Sequence, residues 1–289
     1  MRSRTVAAGV SLVLLAGLAV YLGSRVAHGD LPLPVRACTV YEAGDGESGG
    51  NVRKVRLTGE QMANAATIAA VGLRRRLPER AIVVALATAF QESGLKNLPY
   101  GDRDSVGLFQ QRPSQGWGTV DQIMDPRYAA ERFYAALEKV PGWERMRVTD
   151  AAQAVQRSAF PDAYQKWADD AAVLASALVG NTGGTVACSV ASRPAMRGSA
   201  AAAALTNQLI LDWGELETVT PAELLGVALP VTDARTGWRY AHWLVSHAGQ
   251  HGIKRVQFGD RQWTAKDGAW SPAPESSDDL VIAEVFAET

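Results

Sequence analysis

A strongly apolar run, from Ala81 to Phe90, constrains this chain more than any other stretch. Pro78 precedes the run and suits the start of a helix, where a missing N–H group costs nothing. Gly94 follows the run and suits a helix end. The pattern therefore predicts a helix over residues 78–93 that is apolar nearly all round, and such helices are buried by their neighbours.

Glu92 falls in the last turn of this predicted helix. Burial disfavours the charged form of a carboxyl group, and the negative end of the helix dipole disfavours it as well. Both effects raise the pKa of the carboxyl group, so that it can hold a proton near neutral pH and act as a general acid. The alternative is a glutamate whose side chain simply reaches solvent.

A polar loop and a second short motif follow Glu92. Ser93 is its neighbour, Asp102 and Asp104 lie in the loop, and residues 105–113 read SVGLFQQRP. This pattern resembles the catalytic region of the lysozyme-like superfamily, which includes goose-type lysozymes and soluble lytic transglycosylases. In that family a Glu-Ser pair closes a buried helix, and Ser-x-Gly-Leu-(Met/Phe)-Gln and a proline follow after a loop.

The resemblance covers Thr58 to Val179, and Val106 stands where the family usually has alanine. It implies a mainly α-helical, lysozyme-like catalytic domain in which Glu92 is the catalytic acid. It also implies a set of residues around Glu92 that bind the substrate. These are Ser93, Ser105, Gly107, Gln110, Gln111 and Tyr164.

Several further interpretations depend on where a residue lies relative to these motifs. Tyr164 matches a family tyrosine that lies close to the catalytic acid, although a core ring at helical spacing is the alternative. Asp102 and Asp104 lie in a polar loop, so we expect them to shape the loop or contact water rather than act as nucleophiles. Gln156 and Ser158 precede Tyr164 and are possible cleft residues. Trp117 either forms a cleft wall or packs under a surface turn.

Helix signals recur through this segment. Thr58 and Gln61 predict a capping box, and Asp125 with Pro126 predicts the start of a helix that reaches about residue 140. Asp150 is expected to cap a short helix. No strand is predicted in this part of the chain.

Composition divides the chain into five segments. They are residues 1–29 (a signal anchor or signal peptide), 30–57 (a linker), 58–180 (the lysozyme-like transglycosylase domain), 181–199 (a linker rich in Gly, Ser and Thr) and 200–289 (a small α+β accessory domain). The last segment resembles accessory domains of secreted actinobacterial cell-wall proteins at Gly252–Val256, Trp263 and Trp270. Because residues 200–289 show no acid, nucleophile or metal set, we expect this domain to bind or position a ligand through Trp263 and Trp270 rather than to catalyse.

The N-terminal segment carries Arg2 and Arg4 before an apolar stretch from Val6 to Leu22. That stretch is just long enough to span a bilayer, and no clean Ala-x-Ala cleavage site follows it. These features favour an uncleaved signal anchor with the remainder of the chain outside. A cleaved signal peptide is the alternative, so the protein is expected to be exported, either anchored in the cell membrane facing the cell wall or secreted.

The chain has two cysteines, Cys38 and Cys188, and they flank the motif-bearing segment. In an exported protein this arrangement predicts a disulfide that joins the two ends of that segment. Two free thiols are the alternative.

Charge and motifs exclude several classes of function. The net charge of −1 argues against nucleic acid as the main partner, because phosphate binding needs a basic surface. The sequence has no P-loop, Gly-x-Ser-x-Gly or dinucleotide motif, and no cofactor is expected. His247 and His251 are spaced i, i+4, but Ala248 stands where the metalloprotease motif needs glutamate. No metal is expected, and we interpret these histidines as surface residues.

These patterns predict an enzyme that cleaves the β-1,4 bond between MurNAc and GlcNAc in peptidoglycan with a single glutamate. A lytic transglycosylase would leave a 1,6-anhydro product, whereas a hydrolysing muramidase on the same site would leave a reducing end. A catalytically silent peptidoglycan-binding protein is a further alternative. Another is a structural cell-envelope protein whose function resides in its C-terminal domain. The expected partners are peptidoglycan glycan strands and, through the N-terminal segment, the membrane.

Overall fold

A computed structural model describes most of the chain after residue 36. The described residues are 37–42, 53–158, 160, 162–191, 194–219, 221 and 223–288. They belong to one compact unit with a mixed α+β fold. No helix among them is long and apolar enough to cross a membrane. The predicted signal segment, residues 1–29, lies outside the described residues.

Eight α-helices and six β-strands occur in the described residues. The helices are α1 (Gly59–Arg74), α2 (Glu79–Ser93), α3 (Val120–Ile123), α4 (Pro126–Leu137), α5 (Val148–Gln156), α6 (Ala168–Leu178), α7 (Gly198–Trp213) and α8 (Ala234–His251). The strands are β1 (Ala37–Tyr41), β2 (Lys54–Thr58), β3 (Val186–Cys188), β4 (Gly226–Pro230), β5 (Ile253–Thr264) and β6 (Trp270–Val285). Short 3-10 turns occupy Pro113–Gln115, Trp143–Arg145 and Gln165–Trp167.

The strands form two small antiparallel sheets, with the orders β2-β1-β3 and β4-β6-β5. The first sheet was not expected, because its strands come largely from segments interpreted as linkers. The described residues of segment 30–57 form β1 and most of β2, and β3 lies within segment 181–199. The strands are only three to five residues long, and β1 pairs with β3 across the whole helical segment. Local sequence carries little signal for such distant pairing.

Helix α2 is central to the helical part of the fold. It packs against α1, α4, α5 and α6, and every residue from Ala81 to Phe90 is buried. This confirms the prediction that the apolar run forms a buried helix. Its C-terminus is closed by Gly94 in the left-handed conformation, with a φ of 63°. Burial on all sides leaves only the ends of α2 free to carry polar side chains.

Most helix ends agree with the sequence prediction. Thr58 forms the expected capping box with Gln61, and Asp125 caps α4 by accepting a hydrogen bond from the Arg127 N–H group. The prediction for Asp150 is wrong, because α5 begins at Val148. The Asp150 carboxylate instead accepts hydrogen bonds from the Arg147 guanidinium, at 2.8 and 2.9 Å.

The predicted segments 58–180 and 200–289 share one apolar core. Helix α8 packs against α1 and α6, and α7 packs against α1. The Trp270 indole N–H group donates to the Val186 carbonyl at 2.7 Å and so ties β6 to β3. Trp263 is fully buried, so it is not available for the binding role expected of it. The division into two domains stays a prediction.

A buried carboxylate, that of Asp212 on α7, joins the two segments. One of its oxygens accepts from the Thr67 hydroxyl on α1 and from the Trp243 indole on α8, both at 2.9 Å. Its other oxygen accepts from the Arg127 guanidinium on α4 at 2.7 Å. Asp212 has no exposed side-chain surface. A buried charge needs such partners, because its desolvation is otherwise uncompensated.

The described histidines are buried, so their interpretation as surface residues was wrong. His242 accepts the Thr185 N–H group at Nε2, at 3.2 Å, which leaves its Nδ1–H group to donate to the Ala177 carbonyl at 2.8 Å. Burial lowers the pKa of His242 to about 4, so the ring is neutral. The His247 Nδ1 atom bonds to the Trp243 carbonyl at 2.9 Å. These rings are packing elements of the boundary between the two segments.

The predicted disulfide is confirmed. Cys38 and Cys188 are directly opposite each other on the paired strands β1 and β3, and their sulfur atoms are bonded. The bond closes a loop with a sequence separation of 150 residues.

Reduction of this bond is expected to lower the melting temperature. In the chain-entropy model a loop of this length stabilises the folded state by about 4 to 5 kcal/mol. Differential scanning calorimetry with and without reductant measures the effect. A Cys38→Ser/Cys188→Ser double variant, which has no disulfide, is the control and should not respond to reductant. Equal melting of the oxidised and reduced wild-type protein would contradict this prediction.

Asp212→Ala is expected to lower the free energy of unfolding by roughly 3 kcal/mol, since it leaves the Arg127 charge and two buried donors without their acceptor. Asp169→Ala is the matched control, because Asp169 is 74% exposed and pairs with Arg53 at the surface. Its loss should change the free energy by less than about 1 kcal/mol. Urea denaturation compares the two variants, and equal losses would count against the buried network as the link between the segments.

Candidate active site

Glu92 lies in the last turn of α2, where that helix leaves the core. The turn is fixed by two backbone hydrogen bonds, from Gly94 N–H to the Phe90 carbonyl and from Leu95 N–H to the Ala89 carbonyl, at 3.0 and 3.1 Å. Glycine suits this position because a left-handed residue without a Cβ atom closes a helix at little cost. The carboxyl group is therefore held on a rigid element, partly exposed at the end of an otherwise buried helix.

The Glu92 carboxyl group has a raised pKa, and the main cause is desolvation by burial. Hydrogen bonds from Tyr164 and Gln156 act in the opposite direction and lower the pKa, but burial outweighs them. The Tyr164 hydroxyl donates to Glu92 Oε1 at 2.7 Å. This is the environment that a general acid needs, since the proton is retained while the anion still has donors ready to receive it.

Tyr164 is fully buried at the start of the turn that precedes α6. Burial raises the pKa of its hydroxyl, and the neighbouring Glu92 charge raises it further. The hydroxyl therefore stays protonated and remains a donor. Both sequence alternatives for Tyr164 are found in one residue: the ring is part of the core, and its hydroxyl contacts the candidate acid.

Ser93 ties the end of α2 to the second motif. Its hydroxyl lies 2.7 Å from the Leu108 carbonyl and 3.1 Å from the Ala89 carbonyl of its own helix. The side chain is buried, so Ser93 positions the loop beside Glu92 from within the protein.

Gly107 and Gln110 shape the loop itself. Gly107 has a φ of 79°, and a Cβ atom there would lie 2.8 Å from the Ile123 carbonyl oxygen, so a larger residue does not fit. The Gln110 amide donates to the Gly107 carbonyl at 3.2 Å. Gln110 itself has a φ of 48°, which is uncommon for a residue other than glycine. Its side chain is partly exposed and lies in the motif as the resemblance implies.

Ser105 and Gln111 are buried, as are Ser93, Gly107 and Tyr164, so Gln110 is the one predicted substrate-binding residue that is partly exposed. Ser105 is 6% exposed and Gln111 is 2% exposed. The Gln111 amide donates to the Ala129 carbonyl at 3.1 Å and so holds the loop against α4.

Asp102 and Asp104 have different environments. Asp102 is 89% exposed and lies 3.8 Å from the Arg103 guanidinium. The Asp104 carboxylate accepts from Arg112 Nε at 2.7 Å and from the Ser114 N–H group at 2.8 Å. These bonds hold the pKa of Asp104 well below its usual range, with Arg112 as the largest cause. Asp104 therefore fastens the loop to the segment after the motif.

Two exposed aromatic rings lie in the loops around the candidate acid. Tyr100 is 71% exposed, and its carbonyl accepts from the Gln110 amide at 3.5 Å. Phe160 is 72% exposed and precedes Tyr164 by four residues. Large exposed rings suit stacking on an apolar sugar face.

A basic cavity next to this site was missed by the sequence analysis. It is lined by Arg132, Lys139 and Arg157, together with Trp117 and Gln156. Arg132 and Lys139 are seven residues apart in the sequence, which is about two helical turns. This spacing indicates that the two basic side chains lie on the same face. Gln156 was expected only as a possible cleft residue.

Comparison with models of known protein families finds no match to this sequence. Comparison with curated proteins likewise finds no significant match.

Replacement of Glu92 by glutamine is expected to stabilise the protein at neutral pH. Because the pKa of Glu92 is higher in the folded than in the unfolded state, ionisation opposes folding. Glutamine removes this penalty, which amounts to roughly 1.4 kcal/mol for each unit of pKa difference.

The gain should be absent below the pKa of an unfolded glutamate and should grow as the pH rises through the raised pKa of the folded state. Guanidinium denaturation across this pH range measures it. Glu60→Gln, at an exposed position in the first turn of α1, is the control and should show no such gain. A pH-independent difference between Glu92→Gln and the wild type would contradict the raised pKa.

Proposed function

We propose that the protein cleaves the β-1,4-glycosidic bond between MurNAc and GlcNAc in peptidoglycan, with Glu92 as the only acid and base. The proposal includes a lysozyme-like arrangement of the helical segment and the lytic transglycosylase reaction. The observation that carries it is the Glu92 carboxyl group, with a raised pKa, at the end of a buried helix and in contact with the Tyr164 hydroxyl.

In the first step the protonated Glu92 carboxyl group donates its proton to the glycosidic oxygen. The bond between that oxygen and C1 of the MurNAc unit breaks, and the GlcNAc-terminated strand leaves with a new hydroxyl group. Positive charge develops at C1, and Glu92 becomes a carboxylate. The Tyr164 hydroxyl, 2.7 Å from Glu92 Oε1, stabilises this anion by donating to it.

In the second step the Glu92 carboxylate removes the proton from the 6-hydroxyl group of the same MurNAc unit. The freed oxygen bonds to C1 and closes a 1,6-anhydro ring, and Glu92 is protonated again. One carboxyl group thus serves as acid and then as base, as microscopic reversibility allows. In this proposal Gln110, which is partly exposed, contacts the N-acetyl group, and the exposed Tyr100 and Phe160 rings stack on sugars.

A hydrolysing muramidase on the same site needs water in place of the 6-hydroxyl group. An inverting hydrolase also needs a second carboxylate to activate that water. Asp104 is engaged by Arg112 and Ser114, and this argues against such a role for it. The transglycosylase reaction is therefore the preferred proposal. We extend it to an exported protein that acts on the cell wall and is attached to the membrane through residues 1–29.

Digestion of purified peptidoglycan, followed by mass spectrometry of the soluble products, tests the proposal. The expected products end in 1,6-anhydro-MurNAc, which lacks one water relative to a reducing end. Glu92→Gln keeps the shape of the side chain but removes the proton donor, so it should lower the rate by at least about a hundredfold. Sedimentation with insoluble peptidoglycan should show that binding is retained.

Asp102→Asn is the control, because its carboxylate is exposed and should have little effect on the rate. An active Glu92→Gln enzyme would refute the assignment. Reducing-end products that disappear in an Asp102 or Asp104 variant would instead identify a hydrolase. Binding to peptidoglycan without any turnover by the wild-type protein would identify a silent binding protein.

A further inference from the structure

A cavity of about 590 Å³ opens between three parts of the fold. These are the loop at residues 115–117, the turns of α4 and the segment after it at residues 132–140, and the end of α5 at residues 154–157. Trp117 and Gln156 form part of its wall. The Tyr128 hydroxyl donates to the Trp117 carbonyl at 3.2 Å and fixes this wall to α4. The wall of the cavity is therefore fixed by secondary structure and by this hydrogen bond.

All the charged side chains that line the cavity are positive. Arg132, Lys139 and Arg157 line it, and its lining includes no aspartate or glutamate. Within the part of the chain that the structure describes, none of these three cations forms an ion pair with a carboxylate. The Arg132 guanidinium donates to the Gly116 carbonyl at 3.2 Å, which directs it to this loop. Three uncompensated cations around one cavity favour an anionic ligand.

Gln156 connects the cavity to the candidate acid. Its amide donates to the Phe109 carbonyl at 2.8 Å, and the same side chain lies beside the Glu92 carboxyl group, whose pKa it lowers. Gln156 therefore belongs both to the cavity wall and to the surroundings of the candidate acid.

The glycan backbone of peptidoglycan is built of N-acetylated sugars and carries no cation or anion of its own. Its anions are the carboxylates of the stem peptide, which is joined to the MurNAc unit through the lactyl ether. That is the same sugar whose C1–O bond is cut in the proposed reaction. An extended peptide gains at most about 3.6 Å for each residue, so the first free carboxylates lie within one or two residues of the cleaved unit.

We propose that the cavity lined by Arg132, Lys139 and Arg157 binds a stem-peptide carboxylate of the substrate. This inference rests on the proposed function and names the substrate class of the same site: glycan whose stem peptides have free carboxylates is preferred over glycan whose peptide carboxylates are amidated. Trp117 supplies an apolar wall for the peptide backbone and small side chains, and Gln156 separates the peptide from the sugar at Glu92.

The preference is measured with two substrates: peptidoglycan strands with free peptide carboxylates, and the same strands after those carboxylates have been converted to amides. Removal of the peptides by an amidase is unsuitable, because it leaves a free lactyl carboxylate on every MurNAc unit. The wild-type kcat/KM should favour the strands with free carboxylates, mainly through KM. In a Lys139→Gln/Arg157→Gln double variant the ratio of the two kcat/KM values should fall by about fivefold or more. Arg157 has a left-handed backbone, with a φ of 53°. Glutamine has a Cβ atom as arginine does, so this substitution does not change the steric cost of that conformation.

Lys266→Gln is the matched control, because Lys266 is an exposed lysine in the turn between β5 and β6 and should keep the wild-type ratio. A wild-type enzyme without preference, or a double variant that keeps the wild-type ratio, would overturn the inference and leave the proposed function intact.

Isothermal titration separates the inference from the proposed function. The probes are N-acetylmuramyl-L-alanyl-D-glutamate and its diamide, which differ only in their carboxylates. The wild-type protein should bind the diacid about fivefold more tightly at low salt, and the double variant should bind both equally. If neither glycan is cleaved but this difference is found, the proposed reaction fails and the carboxylate site stands. Equal binding of the two probes by the wild type, or binding of polyglycerol phosphate alone, would refute it.

Discussion

The structure depends on the complete burial of α2. Four helices surround it, and its apolar side chains leave no polar surface along its length, so the chain can place a polar group only where the helix ends. Glu92 occupies that end. A carboxyl group in this position is partly desolvated and its pKa rises, which opposes folding once the group ionises. Packing of the surrounding helices offsets this cost, and the same burial favours the protonated form of the carboxyl group, which is the form that the proposed reaction uses.

The Tyr164 hydroxyl and the Gln156 amide complete this environment by opposing the effect of burial without cancelling it. Both come from segments far from Glu92 in sequence, and the Ser93 hydroxyl brings the loop of the second motif to the same point. Loop and helix are therefore held together by short bonds to backbone carbonyls. Such bonds fix geometry with little dependence on pH, because the groups concerned do not titrate near neutrality.

The sequence was most informative where the structural cause is local. The apolar run at 81–90, the capping box at Thr58 and the glycine at 94 each determine a helix or a helix end through neighbouring residues, and these predictions are confirmed. The β1–β3 pair, the partners of Asp212 and the burial of His242 depend on contacts between distant residues, which one sequence does not encode in a readable pattern. Within the site, the role of Glu92 and a loop-shaping role of Asp104 were predicted from position and resemblance, whereas the burial of Gln111 and the partners of Asp104 required coordinates.

The disulfide between β1 and β3 has a mechanical consequence. Tension applied to the two ends of the described chain enters at β1 and passes through the Cys38–Cys188 bond directly into the segment that follows β3. The residues between the two cysteines, with a sequence separation of 150, form a closed covalent ring that no pull on the chain ends can extend. Only the part after Cys188 can lengthen under load. Glu92 and Tyr164 both lie within this ring, so a pull on the chain ends passes around the candidate site without stretching it.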